Sequence, residues 1–171
     1  MSFFRTFVCI FAMAFVSACA TLPQPGDVNV PTPLMNNSGT FMSPYTQDGV
    51  VAPWVDKAVN VKLGTTIGST AGALIGQQIM GQIPIVGGIL GEKLGREAAR
   101  MIALEAIGGE EYIKSTSDMS FNSVPDLIVY VYATHSTHPS YQDVFSAVSD
   151  IYPDMKQQYM PALMAAAKNK K

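Results

Sequence analysis

Two histidines are the only pair in this 171-residue sequence that suggests metal binding. His135 and His138 form an H-x-x-H pattern, and two imidazoles at that spacing can share one metal ion. A structural zinc site needs four protein ligands and a catalytic site needs three, whereas the nearest acidic residue is Asp143 and no cysteine lies nearby. We therefore expect two solvated histidines in a loop, with a weak metal site as the alternative.

Patterns for other catalytic chemistry are not found in the sequence. No serine stands in a G-x-S-x-G elbow, and the glycine-rich stretches lack the Lys-Ser/Thr of a phosphate loop. No pair of carboxylates stands out as acid and base. Tyr130 and Tyr132 are expected to contact the core or a partner rather than to stack on a sugar. We expect no enzyme activity and no cofactor.

The first nineteen residues have the layout of a secretory signal that ends on a cysteine. A start carrying Arg5 is followed by an apolar run over residues 7–15 and by the small residues before Cys19. The apolar run is too short to span a bilayer. Residues 16–19 (VSAC) resemble the lipobox of bacterial lipoproteins. The resemblance implies cleavage before Cys19, acylation of Cys19 and, because Ala20 follows, sorting to the outer membrane. The alternative is an ordinary signal cleaved near Ala18 or Ala20.

Charge and cysteine content limit the partners and the means of stabilisation. Once Arg5 is removed, ten basic residues face thirteen acidic ones, so we expect no nucleic-acid partner. The two cysteines are Cys9, within the signal, and Cys19, the predicted lipid carrier. A disulfide is therefore not expected, although export would permit one.

Residues 19–53 are dense in proline and glycine, which interrupts both helical and alternating patterns. We interpret them as an extended tether between the lipid and a folded part; a strap packed on the domain surface is equally compatible with the composition.

Glycines at four-residue intervals dominate residues 54–109. They are Gly64, Gly68, Gly72, Gly76, Gly87, Gly91 and Gly95, and Ala99 and Ala103 continue the stripe. Glycine costs a helix up to about 1 kcal/mol relative to alanine. A regular stripe therefore favours close packing that needs bare backbone. We predict a helical hairpin with arms over residues 55–80 and 85–107, which starts at Pro53 and ends at the pair Gly108-Gly109.

With Cys19, this stripe resembles the glycine-zipper lipoproteins and surface antigens of Gram-negative envelopes. The resemblance covers the lipobox and residues 63–103, and it implies envelope association and close helix packing without a particular activity.

The second arm argues against a membrane-spanning hairpin. Glu92, Lys93, Arg96, Glu97 and Arg100 gather on one side of the helix. If the hairpin spanned a bilayer, these charges would lie within it, where each costs several kcal/mol unless it lines a polar lumen. We favour a packed or self-associating hairpin near a membrane surface, with Trp54, Lys57 and Lys62 as interfacial contacts.

Residues 110–171 are expected to form a small module of one or two strands and two helices. Residues 126–133 (DLIVYVYA) are β-branched and aromatic, which predicts a strand, with residues 117–123 as the nearest pairing partner. Ser140 begins a capping box and a helix, and a second helix starts at Pro153-Asp154 and should kink or restart at Pro161.

The predicted fold class is thus α+β and mainly helical, divided into a signal peptide (1–18), a lipidated tether (19–53), the hairpin (54–109) and the module (110–171). The predicted function is a structural or assembly role as an outer-membrane lipoprotein whose soluble part lies in the periplasm. Its expected partners are the membrane, through the acyl chains on Cys19, and further copies or another envelope protein. The alternative is a membrane-active protein whose hairpins oligomerise into a pore.

Overall fold

The computed structural model describes residues 21–67 and 89–170. Within these ranges the fold is mainly helical, with six α-helices and a three-stranded antiparallel sheet, which confirms the α+β class. In chain order the elements are a short 3-10 helix at Pro25–Asp27, β1 (Leu34–Met35), β2 (Phe41–Met42), α1 (Pro53–Ile67), α2 (Ile89–Ile107), α3 (Gly109–Ser115), β3 (Met119–Phe121), α4 (Val124–His135), α5 (Tyr141–Ile151) and α6 (Asp154–Lys168).

The sheet joins the proline-rich segment to residues 119–121. β3 is the middle strand, and β1 and β2 flank it in the order β1-β3-β2. Leu34 lies opposite Ser120, and Phe41 lies opposite Phe121. The predicted strand at residues 117–123 is therefore present, but it pairs with the proline-rich segment.

Residues 28–52, here called the strap, contribute several buried side chains to the core. Val28, Met42 and Tyr45 are at most 1% exposed. The backbone N–H of Met42 donates to the Tyr152 hydroxyl at 3.1 Å, which ties the strap to the residue after α5. Of the two interpretations of this segment, the structure has the packed strap over residues 28–52.

The strand predicted at residues 126–133 is wrong, because these residues lie in α4. Ser123 caps the helix by accepting a hydrogen bond from the backbone N–H of Asp126 at 3.2 Å, and Pro125 sits in the first turn, where its missing N–H costs nothing. The run is apolar on all sides because α4 is enclosed by α6, β3 and the 3-10 helix. Burial on every side, rather than a sheet, explains the composition.

The two C-terminal helices begin where the sequence predicts. α5 starts directly after Ser140, although the Ser140 side chain makes no capping hydrogen bond. α6 starts at Asp154 and continues through Pro161 to Lys168, so the helix does not restart at Pro161. Pro161 lies on the exposed side of α6, where water can reach the carbonyl that lacks a donor.

Two helices occupy the predicted hairpin arms and lie side by side. α1 begins at Pro53 with Asp56 in its first turn, as predicted, and α2 ends before Gly108 and Gly109. These glycines have φ of 105° and 83°, a left-handed conformation that favours glycine. Residues 68–88 lie outside the described residues. Both helices also pack on α5, which connects the hairpin to the rest of the core.

Candidate helix-packing site

An apolar groove of about 510 Å³ opens where α1 and α2 meet α5 and the start of α6. Ala58 of α1 forms one wall, and Ala99, Ala103 and Ala106 of α2 form another. Ile151 lies at its base and is 1% exposed. Small side chains on both helices leave the space that larger residues would fill. The groove is therefore a consequence of alanine at these positions.

The end of the small-residue stripe faces this groove. Ala99 and Ala103 continue the four-residue spacing of Gly91 and Gly95, and both line the cavity. Ala99 is exposed and Ala103 is half-buried. Helices with small residues at this spacing can approach each other closely, because no side chain holds the backbones apart. On this side the groove is therefore lined by alanine side chains that keep little distance between the helix backbone and the open space.

Four polar residues also line the groove: Ser149, Asp150, Lys156 and Gln157. Lys156 of α6 forms an exposed ion pair with Asp150 of α5, with the ammonium nitrogen and carboxylate oxygen 3.3 Å apart. Such an exposed pair contributes at most about 1 kcal/mol to stability. The pair itself therefore adds little to the stability of the fold.

Arg100 fixes α2 against the body of the molecule. Its Nε donates to the Ile151 carbonyl at 3.0 Å, and its terminal nitrogen pairs with Glu110 of α3 at 2.9 Å. The sequence placed Arg100 on a solvated face of α2; the structure gives it a bridging position among α2, α3 and α5. Two charge-assisted hydrogen bonds from one guanidinium restrict how far α2 can move from α5.

The residues predicted for lipid attachment and helix packing are described only in part. Cys19 lies outside the described residues, as do Gly68, Gly72, Gly76 and Gly87. Gly64 lies in α1, and Gly91 and Gly95 lie in α2, so the helical state predicted for these three is present. No helix in residues 21–67 or 89–170 has both the length and the apolar character required to cross a membrane.

The two histidines are placed differently from the prediction. His135 is the last residue of α4 rather than a loop residue, and its ring stacks on Tyr45 with centroids 3.9 Å apart. His138 lies in the following turn, with its ring edge toward Tyr45 at 5.5 Å. Gly49 lies near the same ring, since a Cβ built on it would be 3.8 Å from His135 Cε1. Burial, and secondarily His138, lower the pKa of His135.

These contacts fit a structural role for the histidine pair. In the described part of the chain, no group of three His, Cys, Asp or Glu side chains is placed to hold a metal ion. Ser140 Oγ lies 2.8 Å from His138 Nδ1, which resembles two members of a hydrolase triad. The two residues are neighbours in a single turn, however, and no carboxylate from the described residues bonds to His138. The pair stabilises the turn before α5.

Three aromatic residues contribute to the core. Tyr132 is 9% exposed and donates its hydroxyl hydrogen to the Pro23 carbonyl at 2.6 Å, and Tyr130 packs on Phe121. Both are core contacts, which is the role the sequence predicted. Trp54 is fully buried beside Tyr152 rather than at a membrane surface, so its predicted interfacial contact is wrong. Its position on the inner face of the first turn of α1 directs the indole inward.

Lys57, the second residue predicted at a membrane interface, lies over the Tyr112 ring at 4.9 Å from its centroid. Sequence analysis missed this contact, and it also missed the burial of Tyr45. The signal for Tyr45 is weak, because a single aromatic residue among prolines and glycines has no periodicity.

Comparison of the chain with protein-family models, with curated proteins and with solved structures gives no match. Its function must therefore be argued from the residues and from the groove.

Proposed function

We propose that this chain is a lipid-anchored envelope protein with a structural or assembly role, in which a glycine-rich helical hairpin packs against neighbouring helices. Acyl groups on Cys19 would hold the protein to the outer membrane, and the folded part would lie in the periplasm. At least two acyl chains give stable anchoring, whereas one chain is marginal.

One structural observation supports the packing role. α1 and α2 lie side by side, and Ala58, Ala99, Ala103 and Ala106 on them line an apolar groove that the described residues leave open. α1 ends at Ile67 and α2 begins at Ile89, and the two helices are in contact. This arrangement fits a hairpin whose seam continues the stripe of glycine and alanine.

The anchoring half of the proposal is tested by metabolic labelling with a palmitate analogue. The wild-type chain should carry the label and sediment with membranes. Cys19→Ser should lose the label and remain at the size of the unprocessed chain. An unlabelled wild-type chain of the mature size would show cleavage without acylation, and the lipid anchor would be wrong.

The packing half is tested by replacing glycines of the stripe with a larger residue. Gly68→Leu combined with Gly91→Leu should abolish native-size complexes in mild detergent, because each leucine separates backbones that must touch. Asn60→Leu combined with Gln142→Leu is the matched control, since both residues are exposed and neither lines the groove or lies on the Met101 side of α2. Complexes of unchanged size in the glycine variant would rule out the seam.

A further inference from the structure

We infer that the groove receives Met101 from a second copy of this chain, so that copies associate head to tail. This inference rests on the packing role proposed above and names its partner. Met101 is 66% exposed, the largest value among the large apolar side chains of the described residues. It lies on α2, the same helix that supplies most of the groove wall.

Met101 and the groove lie on opposite sides of α2. Successive residues of an α-helix are about 100° apart around its axis. The groove-lining residues Ala99, Ile102, Ala103 and Ala106 therefore share one side, and Met101 points about 150° away from their mean direction. A contact between Met101 of one copy and the groove of another uses two different surfaces. Such an interface is heterologous and leaves one Met101 and one groove free at the ends.

Shape and charge both suit this pairing. Methionine is flexible and polarisable, which lets it fill an irregular apolar cavity. Glu105 is exposed one turn after Met101 on the same side of α2, and Lys156 stands at the mouth of the groove with its side chain 59% exposed. An ammonium group has three donors, so Lys156 can donate to Asp150 and also to Glu105 of the second copy. The charge beside the methionine thus complements the cation at the groove.

Cross-linking between two differently tagged full-length copies tests the inference. One copy carries Met101→Cys and the other carries Ala106→Cys, and they are expressed together and oxidised in the intact envelope. A disulfide requires Cα atoms within about 7 Å, so a mixed-tag band reports direct contact. We expect the mixed band when both cysteines are present and its loss when either is restored to the native residue.

The same experiment separates the alternatives. Met101→Cys paired with Gln142→Cys is the control, because Gln142 is equally accessible but lies at the far end of α5 from the groove. A strong band from Met101→Cys copies alone would indicate a two-fold contact and overturn the inference. No mixed band, as expected if a lipid chain or another protein fills the groove, would also overturn it.

Failure here is distinguishable from failure of the proposed function. If the glycine-to-leucine pair disrupts complexes but no mixed band forms, helix packing stands and this partner is wrong. If the mixed band forms on a chain without acyl label, the partner is right and the lipid anchor is wrong.

Discussion

The strap side and the groove side of the molecule differ in how completely side chains fill the space between the secondary-structure elements. On the strap side, large side chains fill the space between β-strands and helices, and Met42, Tyr45, Phe121 and Leu127 are at most 2% exposed. On the groove side, α1 and α2 meet α5 through alanines and leave about 510 Å³ open. Both sides belong to one hydrophobic core, since Trp54 and Val55 of α1 are fully buried within it.

On the strap side the chain fills the space with its own side chains, whereas on the groove side the described residues leave space that a partner could fill. The buried side chains of the strap side lie in a protein interior, and interiors are close-packed. Changes in their volume should therefore lower the free energy of unfolding. Ala99 and Ala106 of the groove are exposed, so they have few neighbours to disturb. Substitutions that alter volume should therefore destabilise the strap side strongly and these two positions hardly at all.

The largest effect is expected from a cavity on the strap side. Leu127→Ala removes a fully buried side chain of α4 and should lower the free energy of unfolding by about 3 kcal/mol. Urea denaturation followed by circular dichroism measures the change. Val50→Ala is the control, because Val50 is 62% exposed and its truncation should cost little. Equal losses in the two variants would contradict the contrast in packing.

Adding volume on the strap side should be the next most costly change. A Cβ on Gly39 would lie 2.8 Å from the Phe121 carbonyl oxygen, which is backbone and cannot move aside cheaply. Gly39→Ala should therefore lose about 2 kcal/mol, within the range for overpacking. Gly26→Ala is the matched control, since no atom lies within 4 Å of a Cβ there. Thermal melting of both variants would decide, and an unchanged midpoint for Gly39→Ala would refute the close contact.

A polar contact of the strap gives a smaller effect. Burial raises the pKa of Tyr152 to about 12, so its hydroxyl stays neutral and accepts the Met42 N–H at neutral pH. Tyr152→Phe leaves that buried N–H without a partner and should cost about 1–2 kcal/mol. Tyr130→Phe should cost less, because the Tyr130 hydroxyl contacts the weak acceptor Met119 Sδ at 3.6 Å. Urea midpoints in the opposite order would contradict this assignment.

Acid should weaken the attachment of the strap at Tyr45. The pKa of His135 lies below its ordinary value of 6.5 in the folded protein, chiefly because of burial. Between those two pKa values the unfolded chain binds more protons, so stability falls as the pH decreases through 6.5 toward the lowered value. His135→Phe retains a ring against Tyr45 and should reduce this dependence. Denaturant midpoints from pH 8 to pH 5 test it, and identical slopes would contradict it.

The smallest effect is expected in the groove itself. Ala106→Leu adds volume to an exposed position that lines the open space, and both residues favour helix. The free energy of unfolding should change by less than about 0.5 kcal/mol. Chemical denaturation measures this directly. A loss comparable to that of Gly39→Ala would mean that the groove is already filled.

Local signals in the sequence predict most helices of this fold. Pro53, Ser140 and the pair Pro153-Asp154 mark helix starts, and Gly108-Gly109 marks a helix end, because each reflects a requirement of nearby backbone. The predicted strand at residues 126–133 failed because an apolar run has the same composition in a buried strand and in a buried helix. The Ser123–Asp126 spacing and Pro125 were the available signals for a helix start.

Long-range partners could not be predicted. The strap lacks periodicity, so its burial depends on β3 and α4, which lie about 80 residues later in the chain. The groove could not be predicted from the sequence either. Ala99 and Ala103 indicate close packing, but only the placement of α5 and α6 shows that the space beside them is open. The stacking of His135 on Tyr45 likewise joins two distant segments.

The order of strands in the sheet has a consequence for biosynthesis. β1 and β2 are translated early, but the strand between them ends at Phe121. A nascent chain therefore cannot close the sheet until the ribosome has passed Phe121, and contacts this distant in sequence form slowly. Until then β1 and β2 have no strand to pair with in this sheet, although α1 can already form from local contacts.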